Sequence, residues 1–330
     1  MTATDTAEVS VYLRGLLGRP SRQPGIARDA VTASAIRTWC DAIGERNPVH
    51  LDSAAARAAG HDDVIAPPAM LQVWTMPGLE PDRPFTSGPS RDGDLDEAVR
   101  RDLSTMGYSG TLAASTDQEF LAPLRIGDRL VAESEYIAVT EQKQTHLGPG
   151  FFLTDRTRYT TAEGRTIGTL TVSVFQFAPK PAAALAHPFD PPAQLPGRPA
   201  AAAPVGLAPG VHCDPVAVPV TPTQVIAGAL ATRDFYPVHH DRDFARARGN
   251  ADFLMNSLTT NGILARIVGE WTGQAPLQRL TTRIISPAYV HDELTVTGVV
   301  TDLTTMTAEV TVRAALRAGV HAEAVARVSR

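Results

Sequence analysis

Apolar positions along the chain follow two rhythms, one helical and one alternating, and the pair occurs twice. Residues 33–43 and 222–232 carry apolar side chains at helical spacing, and residues 53–59 and 242–248 suit short helices. A longer helix is predicted over 256–273, where Leu258, Ile263, Leu264, Ile267, Val268 and Trp271 fall on one helical period. Its first-half counterpart is shorter, near 69–76, behind a Pro67-Pro68 pair that suits a helix start. Each helical stretch gives way to strands. Residues 111–121, 129–140, 151–161 and 166–177 alternate or run apolar, as do 277–285, 293–302, 305–317 and 320–328. Turns are expected at 148–150, at Glu163-Gly164 and at Ala318-Gly319. A helix followed by a run of antiparallel strands is an α+β layout, with the sheet wrapped round the helix.

The order repeats because the sequence does. Residues 44–60, GERNPVHLDSAAARAAG, align with 233–249, RDFYPVHHDRDFARARG, at an offset of 189, with eight of 17 positions identical. Residues 123–130, PLRIGDRL, align with 287–294, PAYVHDEL, at an offset of 164 and share the Pro, the Asp and the Leu. Two matches in the same order outweigh a chance likeness between Ala-rich helices and imply one structural unit written twice. The change of offset puts 25 extra residues into the first half, and residues 78–104, rich in Pro, Gly and charge, read as that insertion. Residues 179–210, dense in Pro and Ala, read as an extended linker rather than packed structure. The expected division is a first domain over 1–178, that linker, and a second domain over 211–330.

Composition narrows the chemistry mainly by exclusion. Of 330 residues, 43% are apolar and 20% charged, an ordinary globular mix able to bury large cores without staples. The net charge of −5 is interspersed, so no basic block points to nucleic acid or an anionic membrane. Two distant cysteines, Cys40 and Cys213, give neither a disulfide framework nor a zinc spacing and fit a reducing cytoplasm. The N-terminus carries no secretory pattern, and no apolar run reaches bilayer length. No metal-binding cluster, phosphate-binding Gly loop or GxSxG elbow is present.

The repeated motif carries the chemistry. AIGERNPVHLD followed by APPAM resembles the N-terminal MaoC-like dehydratase domain, with its Ala-x-Gly-Asp-x-Asn-Pro-x-His pattern, and ATRDFYPVHHD keeps the Asp-to-His spacing of five. RDFYPVHHD with FLMNSLTTNG, and PPAMLQVWTMPGL with DQEFLAPLRIGDRL, are similar to the two partner chains of actinobacterial steroid side-chain enoyl-CoA hydratases. The resemblance implies two tandem hotdog domains, a double hotdog in a single chain, adding water to the double bond of a bulky enoyl-CoA. It implies Asp234 and His239 as the catalytic pair, holding one water between carboxylate and imidazole. The thioester oxygen, which gains charge, would meet a helix N-terminus near Asn256 and Ser257, where many family members have Gly in place of Ser257. The only implied ligand is the acyl-CoA substrate, with no further cofactor and no metal; a homodimer is one possible assembly.

In the first half Glu45 stands where the pattern has Asp, beside Asn47 and His50. The extra methylene moves the carboxylate by about 1.5 Å, and a misplacement near 1 Å lowers rate on the order of a hundredfold. This half is therefore read as a degenerate site that holds the acyl chain, with its short helix and the 78–104 insertion giving room or a lid. Asp52 and Asp241 recur in both halves and read as helix N-caps. Arg57 and Arg246 read as partners of nearby carboxylates, and Trp39, Trp74 and Trp271 as core or tunnel wall. His240 lies outside the catalytic pair. Two other functions remain open on the same residues: a dehydratase acting on a 3-hydroxyacyl group of an acyl carrier protein, and a non-catalytic acyl-CoA-binding protein.

Overall fold

Strand and helix bounds follow the sequence rhythm, and the two halves join through their sheets. The computed structural model describes residues 6–79, 93–145, 147–179 and 201–330. Seven α-helices lie in these residues: α1 Thr6–Arg14, α2 Ala33–Ile43, α3 Ser53–Ala58, α4 Leu95–Thr105, α5 Pro222–Thr232, α6 Arg242–Ala247 and α7 Ser257–Trp271. The strands are β1 Gly25–Ile26, β2 Gly110–Phe120, β3 Leu130–Val139, β4 Lys143–Gln144, β5 Pro149–Thr161, β6 Thr166–Phe177, β7 His212–Pro219, β8 Leu277–Ile284, β9 Glu293–Leu303, β10 Thr307–Leu316 and β11 Gly319–Ser329. They form one antiparallel sheet in the order β1-β3-β5-β6-β2-β8-β11-β10-β9-β7, with β4 added beside β5. The seam between halves is β2 against β8, with Asp117 opposite Thr281 and Glu119 opposite Arg279. Arg279 forks onto both carboxylate oxygens of Asp117 across that seam.

The repeat is visible bond by bond. Thr32 caps α2 at the Ala35 N–H, and Thr221 caps α5 at the Gln224 N–H. Asp52 caps α3 through the Ala55 N–H and Asp241 caps α6 through the Phe244 N–H, as expected of them. The Ala66 N–H donates to the Leu124 carbonyl, and at the matching place Met255 donates to Ala288. Gly44 and Gly127 have positive φ, and so do Arg233 and His291, which occupy the same places in the second half.

α7 packs on one face of the sheet and supplies much of the core. Ile263, Leu264, Ile267, Val268 and Trp271 are buried against β8–β11, where small residues such as Ala322, Ala324 and Ala326 let the helix approach. Its Gly262 lies against α2 of the other half; a Cβ there would fall 2.6 Å from the Trp39 ring. Trp39, Trp74 and Trp271 are all buried, in keeping with a core role.

Three expectations change. The helix predicted near 69–76 is two 3₁₀ turns, Pro68–Met70 and Val73–Thr75. Pro67 cannot cap as Asn256 does, and Pro77 with Gly78 at positive φ ends the segment before an α-helix can propagate. The 78–104 insertion is not all loop: its later part is α4, and residues 80–92 lie outside the described ones. Leu103 and Val99 of α4 pack with Val9, Leu13 and Leu16 from the N-terminal segment over Tyr136, Phe151 and Leu153, making a second small core at the far end of β3 and β5. The linker expectation also covers 180–200, outside the described residues; in 201–210 the chain is mostly exposed, but Ala202, Val205 and Leu207 are half-buried against the core. There the Val205 N–H donates to the Trp271 carbonyl and the Ala202 N–H to Glu270. Edge strand β7, which contains Pro215, lies outside the strands that the rhythm predicts.

Candidate active site

The Asp–His pair of the second half is assembled by three short elements. α5 ends at Thr232, and Arg233 adopts the left-handed region, which turns the chain so that Asp234 follows directly, its N–H on the Ala229 carbonyl. Five residues on, the 3₁₀ turn Pro237–His239 presents the imidazole. His239 Nδ1 lies 2.8 Å from the Leu254 carbonyl oxygen, which can only accept, so Nδ1 carries the proton. Nε2 then faces Asp234 Oδ2 at 3.4 Å. Both side chains are about nine-tenths buried, and Asp234 Oδ1 is buried without a protein partner. In the neutral imidazole two acceptors thus face each other, and a water molecule, with a proton for each, is the complementary ligand.

The N-terminus of α7 is tied to the same loop. Asn256 accepts the Thr259 N–H at 2.8 Å and donates Nδ2 to the Thr232 hydroxyl at 2.7 Å, two residues before Asp234. Thr232 in turn donates to the Gly228 carbonyl at 2.7 Å. Thr260, in the first turn of α7, is held by His321 of β11: Nε2 lies 2.9 Å from the hydroxyl and Nδ1 2.6 Å from the Ser286 carbonyl. Burial pushes the His321 imidazole below its ordinary pKa, so the neutral ring is favoured and Nε2 accepts from Thr260. The family resemblance points to Asp234, His239, Asn256 and Ser257; Thr232 and Thr260 lie within the stretches ATRDFYPVHHD and FLMNSLTTNG without being singled out there, and His321 stands in no motif. His240 caps the 3₁₀ turn with its backbone, and burial with its neighbour His239 holds its pKa down.

The first-half copy keeps the histidine and loses the arrangement. His50 Nδ1 is 2.9 Å from the Ile65 carbonyl, matching His239, and burial pushes its pKa down. The Glu45 charge still acts on this ring against the effect of burial, but its carboxylate makes no close ion pair with it like that of Asp234 with His239. Instead Glu45 Oε1 accepts the N–H groups of Arg46 and Asn47, each at 2.8 Å, so the longer side chain folds back on its own loop. Asn47 accepts the Val49 N–H at 3.1 Å and caps the turn that carries His50. Arg246, expected against a carboxylate, donates instead to the Ala251 carbonyl at 3.2 Å. Among the described residues no group of His, Cys, Asp and Glu gathers as metal ligands.

Two helix-on-sheet units sharing one sheet, with an Asp–His pair beside one helix N-terminus, define a double-hotdog protein. The family model for a FAS1-like dehydratase domain region matches residues 18–170, and that for a MaoC-like domain matches 206–321. The chain belongs to the MaoC-like dehydratase family. It is 42% identical over 134 residues to the Mycobacterium tuberculosis 3-oxo-4,17-pregnadiene-20-carboxyl-CoA hydratase alpha subunit, covering 41% of this chain and 40% of that protein. It is 44% identical over 81 residues to the beta subunit from the same organism, covering 24% of this chain and 63% of that one. The matches thus span between 40% and 63% of these relatives' lengths. A solved MaoC-like dehydratase superposes with a TM-score of 0.71 at 19% identity, covering 96% of this chain and 99% of that one. A Mycobacterium tuberculosis protein described as having a double hotdog fold gives 0.59 at 12% identity, covering 93% and 96%.

Proposed function

We propose that the chain is an enoyl-CoA hydratase, a hydro-lyase whose reaction centre is Asp234 and His239. The observation that carries this is the pair of facing acceptors, Nε2 and Oδ2 at 3.4 Å, with a second carboxylate oxygen left unpartnered. A water held by both has its oxygen lone pair free to attack the β-carbon. As the C–O bond forms, the pair takes one water proton and the C=C electrons move to the thioester oxygen. A proton returned to the α-carbon completes addition, giving the 3-hydroxyacyl-CoA. The enolate oxygen would meet the first-turn N–H groups of α7 at Ser257 and Leu258, because Asn256 already occupies that of Thr259. No cofactor beyond the CoA carrier takes part in this scheme.

The first half serves as acyl-binding wall. Its 3₁₀ turns cover less of the sheet than α7 does: Val172 and Val174 of β6 stay half-buried, whereas Ala326 and Val328 at the matching ladder positions of β11 are fully buried. That room supports a bulky acyl group, as do the names of the steroid-hydratase relatives. Free, buried Cys40 and Cys213 support a reducing, cytoplasmic setting. The dehydratase-region match of the first half favours a second reading, the reverse reaction on a carrier-bound 3-hydroxyacyl group, through the same transition state. The test is to incubate the protein with enoyl-CoAs from crotonyl to steroidal and follow the conjugated thioester absorbance. We expect loss of absorbance with 3-hydroxyacyl-CoA formed, fastest for bulky acyl groups. Binding with unchanged absorbance would leave only a carrier or scaffold role, and turnover confined to carrier-protein thioesters would favour the second reading.

A further inference from the structure

Among the described residues three non-glycine residues have left-handed backbone, Arg233 (φ 58°), Gln274 (φ 66°) and His291 (φ 74°), and Arg233 immediately precedes Asp234. A Cβ in that region crowds the following carbonyl oxygen, so glycine is the usual occupant. The other half has the usual occupant: Gly44 holds φ 74° and ψ 28°, against 58° and 25° at Arg233. Glycine would therefore serve the turn without the strain that the arginine adds.

That side chain leaves its own half. Nη1 donates to Asp29 Oδ2 at 3.2 Å and Nη2 reaches the Pro77 carbonyl at 3.5 Å. The guanidinium lies on Gly78, where even a Cβ would fall 2.9 Å from Nη2. Asp29 is 65% exposed, so solvent screens the pair and its contribution to stability is small. Strain beside a reacting group, held by a contact too weak to matter for folding, is the pattern expected of placement.

We propose that Arg233 is a positioning residue: by gripping Asp29, Pro77 and Gly78 of the other half, it fixes the Asp234 carboxylate opposite His239. This rests on the reading of Asp234 as the water-holding carboxylate. It acts through its neighbour and touches no reacting atom.

Arg233→Gly separates placement from folding, because it removes the strain together with the grip. We expect the thermal midpoint to hold or rise while kcat on an enoyl-CoA falls at least about tenfold and KM changes little. A readout independent of turnover is the ring ¹⁵N signals of His239, assigned against His239→Gln, which should move in Arg233→Gly. If the wild type hydrates nothing but these signals move, Arg233 still positions the pair and only the functional reading fails. Wild-type kcat with unmoved His239 signals overturns the proposal. So does a midpoint that falls together with kcat, since that marks Arg233 as a structural link only.

Discussion

Buried imidazoles make the clearest residue-scale test. His321 and His50 are both held below their ordinary pKa by burial. Below an unfolded pKa of about 6.5 the unfolded chain binds protons that the folded chain refuses. Stability from these two rings is therefore complete above about pH 6.5 and declines as pH falls toward their folded pKa values. Each ring contributes a slope of up to about 1.4 kcal/mol per pH unit inside that window. We expect the thermal midpoint to drop on going from neutral to acidic buffer, and His321→Gln, whose amide oxygen still accepts from Thr260, to flatten the drop. An unchanged pH dependence in that variant contradicts the assignment of a neutral, buried ring. Asp234 and His239 were legible in the sequence because a motif repeats around them and fixes their spacing. His321 was not, because its role depends on a strand meeting a helix 61 residues away in sequence.

Helix starts decide which half has a long helix, and here the element is the unit of explanation. α7 begins with Asn256, whose side chain both caps the Thr259 N–H and holds Thr232; the first-half equivalent begins with Pro67 and yields only 3₁₀ turns. Truncating a cap of this kind costs about 0.5–2 kcal/mol. Asn256→Ala also strips Thr232 of a buried donor, so we expect a loss at the upper end, read by denaturant unfolding, together with slower turnover. A loss below a few tenths of a kcal/mol, well under the cap range, would show that the cap is not what starts the helix. The strand rhythm predicted eight strands closely because alternation on a half-buried sheet is a strong local signal. α1, α4 and β7 escaped it. α4 sits inside a stretch whose Pro, Gly and charge signal a loop, and its apolar side is completed only by Val9, Leu13 and Leu16 from a distant segment.

On the scale of the molecule, the two halves share one sheet and one core. The sheet runs unbroken through β2 and β8, and α7 packs Gly262 against Trp39 of the other half. Replacing Gly262 by Ala gains up to about 1 kcal/mol of helix propensity. Against that, a Cβ 2.6 Å from the indole forces α2 and α7 apart, and overpacking of this kind costs about 1–3 kcal/mol. We expect net destabilisation in a thermal melt, with both halves lost in a single transition; two separate transitions would contradict the shared core. No helix of the described residues is long and apolar enough to cross a membrane.

The proposed division of labour between the halves rests on one methylene and one capped helix, and it is open to a single comparison. Asp234→Asn and Glu45→Gln are assayed side by side on the enoyl-CoA that the wild type hydrates fastest. Loss of an acid–base group lowers rate by about 10²–10⁴, so we expect a drop of that size in Asp234→Asn and near wild-type turnover in Glu45→Gln. The reverse pattern, with Glu45→Gln inactive and Asp234→Asn unaffected, would place the reaction in the first half.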